Sequence, residues 1–346
     1  MGDAEPRRDV DLAGLVAVLD QVGDKLHIIF EQRTAPRFVA SAEGFLDHAL
    51  SELVGLRDNS VNRAIFSHDM TRIAEARKFY ARLMAANAGS ADPRLEDVFA
   101  AVPREAFLGP GPWTVVAGNG KVETPSADPV HIYQNVLVSL DAEKGINNGE
   151  PFLHAMWIGK VAPKPGEAVT HVGAGTGYYT ALLARLVSPG GAVTAFELDS
   201  SLAERAIKNL EAYGNVTAIH GDAVVGGLPP SDIIYVNAGV AAPPAEWLKA
   251  LKPGGRMVFP WRPAERIGLA VMVTRTDKGF ACDPFMRSWF IPCIGASAAS
   301  TKIDRDKAAR SRKIWLTADK APDRTATAVI GDVWFSSQSV GGRRSQ

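Results

Sequence analysis

Three glycines at alternating positions follow a short run of β-branched residues and precede an apolar pattern of helical period. They are Gly173, Gly175 and Gly177, in the segment Val172-Gly-Ala-Gly-Thr-Gly-Tyr-Tyr179. Glycine suits such a strand-to-helix turn, because the chain turns sharply there and a ligand can lie against backbone that carries no Cβ. The segment therefore predicts a ligand-binding loop at the carboxyl end of a strand.

Polar residues follow the next three predicted strands. Glu197 and Leu198 follow the second strand, Asp222 and Ala223 the third, and Asn237 the fourth. The carboxyl ends of parallel strands share one edge of a sheet, where ligands bind. A carboxylate at position 197 can accept hydrogen bonds from both hydroxyls of an adenosine ribose, and Asp222 is placed to accept one from the amine of adenine. The alternatives are helix capping by Glu197 and a simple turn at Asp222.

Two classes of adenosine cofactor compete for this loop. A dinucleotide fingerprint needs G-x-G-x-x-G/A, but when its first glycine is Gly173, the place of its third small residue is taken by Tyr178. The spacing G-x-G-x-G is that of S-adenosylmethionine-dependent methyltransferases of the Rossmann-like class, so we predict S-adenosyl-L-methionine as the methyl donor. Methyl transfer depends mainly on positioning and on exclusion of water. A carboxylate acceptor is already ionised at neutral pH, which is compatible with the absence of an evident base–nucleophile pair.

Short apolar runs alternate with amphipathic helical patterns from about Pro165 onward. This alternation predicts an α/β fold, a doubly wound and mostly parallel sheet. The predicted strands are Ala168–Val172, Ala192–Phe196, Val216–Ile219, Ile233–Val236 and Arg256–Phe259. Before them, apolar residues recur at helical spacing and predict a helical N-terminal extension. The segments with this spacing are Leu12–Leu19, Phe45–Leu53 and Ile73–Leu83.

Composition excludes several classes of function. The 346 residues include 38 Lys+Arg and 38 Asp+Glu, so no net positive charge favours nucleic acid or an anionic membrane. Apolar runs are too short for a membrane span. The cysteines, Cys282 and Cys293, cannot form a disulfide framework or a four-cysteine zinc site, and we expect no metal. These features predict a cytoplasmic protein.

Several motifs together resemble one methyltransferase family. The phrase Val98-Phe-Ala-Ala-Val-Pro-Arg-Glu-Ala-Phe107 is similar to the entry segment of protein-L-isoaspartate O-methyltransferases. The similarity resumes at Gly145-Ile-Asn-Asn-Gly-Glu-Pro151, at Val169–Gly177 and at Leu251-Lys-Pro-Gly-Gly-Arg256, and covers roughly Asp92–Gly295. It implies a class I methyltransferase that methylates a carboxylate, most simply that of L-isoaspartyl residues in proteins or peptides, in protein repair.

The substrate loop departs from the family pattern. The family carries a serine two positions before the proline, and alignment on Pro151 places Gly149 there. Asn147 and Asn148 are therefore the predicted catalytic residues, as amide donors to the acceptor carboxylate; the alternative is that they only form a turn. The predicted substrate-binding residues are Gly149, Glu150, Pro151 and His154. His171 stands where the family has an acidic residue near the cofactor, so it is either a cofactor-binding residue or a buried, hydrogen-bonded histidine.

The sequence divides into a helical extension (1–91), a methyltransferase domain (92–296) and a C-terminal appendage (297–346). The N-terminal helices are candidates for homo-oligomer contacts. Two other functions are compatible with the sequence. One is an O-methyltransferase of another peptide or small molecule, and the other is a non-catalytic S-adenosylmethionine-binding protein that recruits a partner.

Overall fold

The computed structural model describes residues 10–12, 15–22, 25–32, 71–118, 120–297 and 303–339. The chain divides into two compact units, Met1–Ser67 and His68–Gln346. The larger unit contains every predicted site residue.

The described part of the first unit is a three-stranded antiparallel sheet. Its strands are β1 (Val10–Leu12), β2 (Leu15–Val22) and β3 (Lys25–Gln32), paired in that order. The helix predicted from Leu12–Leu19 is therefore wrong. Valine and isoleucine are frequent in β2 and β3 and favour strands, and Gly23-Asp24 separates the paired residues Val22 and Lys25, a spacing typical of a two-residue hairpin. The helix predicted at Phe45–Leu53 lies outside the described residues.

The described part of the second unit begins with helices, which pack against the main sheet of this unit. Residues 71–87 are helical (α1), which confirms the helix predicted around Ile73–Leu83. The next elements are α2 (Arg94–Ala101), a 3-10 helix at Arg104–Phe107, strands β4 (Thr114–Ala117) and β5 (Gly120–Glu123), a 3-10 helix at Pro129–Ile132, strands β6 (Leu137–Asp141) and β7 (Ile146–Asn147), and α3 (Pro151–Val161). The four strands form a small sheet in the order β5-β4-β6-β7. This sheet holds the predicted substrate loop, which runs from β7 into α3.

Five parallel strands form the centre of the main sheet. They are β8 (Ala168–Val172), β9 (Ala192–Glu197), β10 (Val216–His220), β11 (Ser231–Val236) and β12 (Leu251–Ala264). They lie in the order β10-β9-β8-β11-β12, all paired in parallel. Helix α4 (Tyr178–Leu186) connects β8 to β9, α5 (Ser200–Leu210) connects β9 to β10, and α6 (Ala245–Ala250) connects β11 to β12. The predicted Rossmann-like sheet is confirmed, and its topological switch point lies between β8 and β11, where a ligand crevice is expected.

Antiparallel strands continue the same sheet beyond β12. They are β13 (Ile267–Thr276), β14 (Gly279–Arg287), β15 (Lys313–Leu316), β16 (Ala326–Ile330) and β17 (Val333–Ser336), with α7 (Arg305–Ala309) before β15. Their order is β12-β13-β14-β15-β17-β16, so the described strands after residue 297 belong to the main sheet.

The main sheet is covered on both faces. Alternate residues of a strand point to opposite faces, and in β11 Ile233 and Tyr235 belong to one apolar cluster while Ile234 and Val236 belong to another. The first cluster includes residues of α1 to α5, and the second includes α6. The parallel strands therefore form a rigid base for the loops at their carboxyl ends. None of the helices in the described segments combines the length and apolar character needed to cross a membrane.

Candidate functional site

A cleft of about 930 Å³ opens at the carboxyl ends of the parallel strands. Its walls come from the loop after β7, the glycine loop after β8, the ends of β9 to β11, and the segment after β14. The cleft brings together most of the predicted site residues: Asn147, Asn148, Gly149, Glu150, His154, Gly173, Gly175, Glu197, Leu198, Asp222, Ala223 and Asn237. Pro151, His171 and Gly177 do not line it.

The glycines of the loop have different structural roles. Gly173 and Gly175 have φ values of +75° and +58°, in the left-handed region that favours glycine. A Cβ on Gly175 would find Leu140 Cδ1 as its nearest neighbour, at 3.9 Å, so this backbone lies open to a ligand. A Cβ on Gly177 would lie 2.7 Å from Leu210 Cδ1, so Gly177 allows α4 and α5 to approach each other.

Glu197 fastens the glycine loop to the end of β9. Its Oε2 accepts a hydrogen bond from the Gly175 backbone N–H at 2.7 Å, and Oε1 accepts one from Asp199 at 3.0 Å. Burial raises the pKa of Glu197, and the backbone N–H donors oppose that rise. Each oxygen of a carboxylate can accept a further hydrogen bond, so Glu197 can support the loop and also bind the hydroxyls of a ribose.

The loops after β9 and β10 contribute one polar and two apolar side chains to the cleft. Asp222 Oδ1 accepts a hydrogen bond from the Val224 backbone N–H at 2.7 Å and closes a turn, while Oδ2 has no hydrogen bond within the described segments. Leu198 is 40% exposed and Ala223 is buried. A flat aromatic ligand can therefore lie between apolar walls with Asp222 at its edge.

His171 is fully buried behind the cleft. Asn237 Nδ2 donates to His171 Nε2 at 2.8 Å, which leaves the ring proton on Nδ1, 2.8 Å from Thr180 Oγ1. Burial lowers the pKa of His171 to about 3, so the ring is neutral. Asn237 Oδ1 is buried and has no partner among the described residues. His171 is thus the buried, hydrogen-bonded histidine of the alternative interpretation, and it orients Asn237 towards the cleft.

The two asparagines of the substrate loop differ. Asn147 Oδ1 accepts a hydrogen bond from the Gly149 backbone N–H at 3.0 Å, so this side chain forms the turn. Asn148 Oδ1 accepts one from the Val138 N–H at 2.7 Å, and the Asn148 N–H donates to the Val138 carbonyl at 3.0 Å. Asn148 Nδ2 is buried without a partner within the described segments. Of the pair, Asn148 is the one whose amide donor is buried as well as unpartnered.

The start of α3 lies beside this loop. Pro151 is the first residue of the helix and is buried, and Glu150 accepts a hydrogen bond from Asn135 Nδ2 at 2.7 Å. Asn135 Oδ1 in turn accepts one from the Phe152 backbone N–H at 2.8 Å. Asn135 therefore caps α3 from another segment, which no local sequence pattern indicated.

His154 lies close to the loop glycine. Its ring stacks on Tyr179 with centroids 3.6 Å apart, and its Nδ1 is 2.9 Å from the Tyr235 hydroxyl. Gly149 has φ +79°, and a Cβ there would lie 2.3 Å from His154 Nε2. With His154 in place, position 149 cannot carry the serine of the family pattern.

Sequence reasoning missed the apolar rim of the cleft. Trp289, Ile291 and Ile294 line it and are 57%, 41% and 70% exposed. They follow β14, far along the chain from the glycine loop, so only the antiparallel return of the chain places them there. Among the described residues, no cluster of His, Cys, Asp and Glu is arranged to hold a metal ion.

Comparisons with known proteins agree with this architecture. Residues 83–298, more than half of the chain, match the family model described as Protein-L-isoaspartate(D-aspartate) O-methyltransferase (PCMT). The Protein-L-isoaspartate O-methyltransferase of Methylorubrum populi is 31% identical over 234 residues, covering 66% of this chain and 100% of that protein. The relative from Aeropyrum pernix is 49% identical over 139 residues, covering 38% of this chain and 53% of that protein. The one from Thermotoga maritima is 33% identical over 168 residues, covering 47% of this chain and 48% of that protein. The chain thus spans about half the length of these last two relatives.

Two solved structures share the fold. A protein-L-isoaspartate O-methyltransferase superposes with a TM-score of 0.54 at 23% identity, covering 75% of this chain and 86% of that chain. A Plasmodium falciparum protein described as a beta-aspartate methyltransferase, solved with S-adenosyl-L-homocysteine, superposes with a TM-score of 0.50 at 17% identity, covering 63% of this chain and 97% of that chain. The resemblance inferred from the sequence is confirmed, and the chain belongs to the protein-L-isoaspartate O-methyltransferase family.

Proposed function

We propose that this protein transfers a methyl group from S-adenosyl-L-methionine to the side-chain carboxylate of an L-isoaspartyl residue in a protein or peptide. One observation carries the proposal: a cleft that joins an open glycine loop to a buried, unpartnered amide donor, Asn148 Nδ2. The glycine loop suits the methyl donor, S-adenosyl-L-methionine, and the amide N–H of Asn148 suits the acceptor carboxylate. Repair of isoaspartyl-containing proteins is the corresponding biological role.

The cofactor side of the cleft fits an adenosine sulfonium. Gly175 leaves its backbone open, and Glu197 retains acceptor capacity for ribose hydroxyls. Asp222 Oδ2 offers an acceptor to an exocyclic amine, and the unpartnered Asn237 Oδ1 can accept a hydrogen bond from an amino group. A buried acceptor without a partner is unfavourable, so a ligand that donates to Asn237 gains by satisfying it.

The acceptor side needs no base. When bound, S-adenosyl-L-methionine supplies an electrophilic methyl group, which a carboxylate oxygen takes as the carbon–sulfur bond breaks and sulfur keeps the electron pair. Asn148 Nδ2 holds the other carboxylate oxygen and so fixes the line of attack. The buried rings of Tyr178 and Tyr179 line the cleft and exclude water from the methyl group. Because the chain has a net charge of zero, recognition of the carboxylate depends on such local donors.

The direct test uses two peptides of one sequence that differ only in an isoaspartyl or aspartyl residue. The full chain is incubated with methyl-labelled S-adenosylmethionine and each peptide. We expect a base-labile methyl ester on the isoaspartyl peptide alone. Label on neither peptide but on another carboxylate would favour a different carboxyl methyltransferase, and cofactor binding without any transfer would favour the non-catalytic alternative.

A variant of Asn148 isolates the acceptor side. Asn148→Asp keeps the oxygen that accepts from Val138 but replaces the free amide donor by a charged oxygen that repels a carboxylate. We expect transfer to fall by at least 100-fold, since hydrogen bonds to charged groups are among the stronger ones. Calorimetric affinity for S-adenosylhomocysteine should be unchanged. Unchanged transfer would remove Asn148 from the site.

A further inference from the structure

The imidazole of His154 occupies the space into which a side chain on Gly149 would project. A Cβ on Gly149 would lie 2.3 Å from His154 Nε2 and 2.8 Å from its Cδ2, closer than real Cβ atoms approach other atoms. Both residues line the cleft. The His154 ring can therefore occupy this space only because position 149 carries no side chain.

The ring is held in one orientation. It stacks on Tyr179 at 3.6 Å with an interplanar angle of 19°, and the Phe290 ring meets it edge-on at 5.9 Å. The His154 residue is only 1% exposed. Nε2 consequently points at the substrate loop and makes no hydrogen bond within the described part of the chain.

The partner of the other ring nitrogen decides where the proton lies. The hydroxyl of Tyr235 is 2.9 Å from His154 Nδ1, and Tyr235 is fully buried with no second hydrogen bond within the described segments. If Nδ1 were the donor, the phenol proton would be buried without an acceptor, which is unfavourable. Tyr235 therefore donates to Nδ1, and Nε2 carries the ring proton. Burial and the positive charge of Arg104 lower the pKa of His154, so the ring stays neutral.

We propose that the Nε2–H group of His154 donates a hydrogen bond to the substrate carboxylate, beside Asn148 Nδ2, in the place of the family's serine hydroxyl. This inference rests on the proposed function. A neutral donor suits the reaction, because the carboxylate loses its negative charge as the ester forms. A cationic partner would stabilise the ionised ground state more than the transition state.

The first test keeps an aromatic ring at position 154 but removes its N–H donor. His154→Phe keeps an aromatic ring to stack on Tyr179 and removes Nε2–H. We expect KM for the isoaspartyl peptide to rise about 10- to 100-fold, the usual range for a lost hydrogen bond to a charged group. The kcat should change by less than about threefold, because the bond is made in the ground state, and the Kd for S-adenosylhomocysteine should be unchanged. An unchanged KM would overturn the proposal, and so would a loss of cofactor affinity as large as the rise in KM.

The second test replaces the pair Gly149 and His154 by a serine at position 149, as in the family pattern. Gly149→Ser alone places Cβ against Nε2 and should abolish transfer. Gly149→Ser with His154→Ala removes the clash and supplies a hydroxyl, so a substantial part of the activity should return. Gly145→Ser is the matched control: Gly145 has a similar φ of +67° but nothing within 4 Å of its Cβ. If the double variant is no more active than Gly149→Ser, the two positions are not interchangeable and the inference is wrong.

A measurement independent of turnover separates this inference from the proposed function. In ¹⁵N-histidine NMR the protonated and bare ring nitrogens resonate apart, so the tautomer of His154 can be read directly after assignment with His154→Phe. We expect the proton on Nε2, and a shift of that resonance on titration with isoaspartyl peptide in the presence of S-adenosylhomocysteine. A protein that transfers no methyl group yet gives this shift would contradict only the proposed reaction. A proton on Nδ1, or no shift, would contradict the role of His154.

Discussion

Asn237 donates a hydrogen bond to His171 across the switch point of the sheet, with Asn237 Nδ2 lying 2.8 Å from His171 Nε2. His171 lies within β8 and Asn237 directly follows β11, the two strands between which the ligand crevice opens. Because Nδ2 is bound to the ring, Oδ1 is the amide atom left for the cleft. A buried histidine that does not line the cleft thus sets the orientation of a residue that does.

Replacement of His171 should impair both stability and cofactor binding. His171→Leu removes the hydrogen-bond partners of the buried Thr180 Oγ1 and of Asn237 Nδ2, which should lower the free energy of unfolding by about 2–4 kcal/mol. It also frees the amide to rotate, so the Kd for S-adenosylhomocysteine should rise about tenfold, the equivalent of about 1.4 kcal/mol. Urea denaturation and titration calorimetry measure the two effects. A destabilised protein with unchanged affinity would show that His171 only fills the core.

The buried histidines should make the protein sensitive to mild acid. The folded-state pKa of His171 is about 3, against 6.5 for the free side chain, and that of His154 is lowered in the same direction by burial. Unfolding therefore takes up protons as the pH falls below 6.5, and stability is lost progressively from there towards pH 3. For His171 alone the loss between pH 7 and pH 5 should be about 2 kcal/mol.

Urea denaturation at pH 7, 6 and 5 checks this slope. Most aspartates and glutamates titrate below that window, so the slope reports mainly on histidine. His171→Leu, although less stable at pH 7, should lose less stability on acidification. If both proteins had equal slopes, the histidine would not be the titrating group.

The glycine loop can be tested against a matched glycine elsewhere. Gly175 and Gly254 have φ values of +58° and +75°, and neither has a close neighbour to a Cβ, so alanine strains the backbone at both. That strain costs roughly 1 kcal/mol at either site. Only Gly175 lines the cleft. We expect Gly175→Ala to weaken S-adenosylhomocysteine binding by at least tenfold, and Gly254→Ala to leave it unchanged. Equal affinities would mean that the ligand does not lie against this loop.

Arg104 should support the substrate loop through the backbone. Its guanidinium is fully buried and donates to the carbonyls of Ile132, Gln134 and Val136, the last at 2.5 Å. Val138, two residues further, pairs with Asn148. Arg104→Met leaves these carbonyls without donors, and we expect a loss of about 3–5 kcal/mol in the free energy of unfolding.

A surface arginine provides the comparison for Arg104. Arg82 lies 3.9 Å from Glu96 with both side chains largely exposed, so Arg82→Met should change stability little. Measured by urea denaturation, similar losses for the two variants would contradict the supporting role of Arg104. Where the Arg104→Met protein remains folded, its KM for the isoaspartyl peptide should rise more than its Kd for the cofactor.

The cofactor side of the site was largely predictable from the sequence. The glycine spacing at Gly173 and Gly175 and the carboxylates Glu197 and Asp222 are local patterns at the ends of strands. Parallel pairing brings such ends to one edge of the sheet. The same kind of local reasoning gave a wrong helix at Leu12–Leu19. Apolar residues at mixed spacing are compatible with the helical period and with the period of a strand, and only pairing with a partner strand decides between them.

Tertiary structure decided which polar atoms of the cleft have hydrogen-bond partners. His154 and Tyr235 are 81 residues apart, and His171 and Asn237 are 66 apart. No sequence spacing indicates which ring nitrogen of a histidine accepts a hydrogen bond, or which amide atom of an asparagine remains without a hydrogen-bond partner. The sequence by itself determined the parallel sheet and the glycine loop, since both follow from local conformational preference and periodicity. The packing of α3 and α4 against β8 and β11 determined which polar atoms face the cleft unpaired, because buried polar groups take their partners from whichever elements meet them.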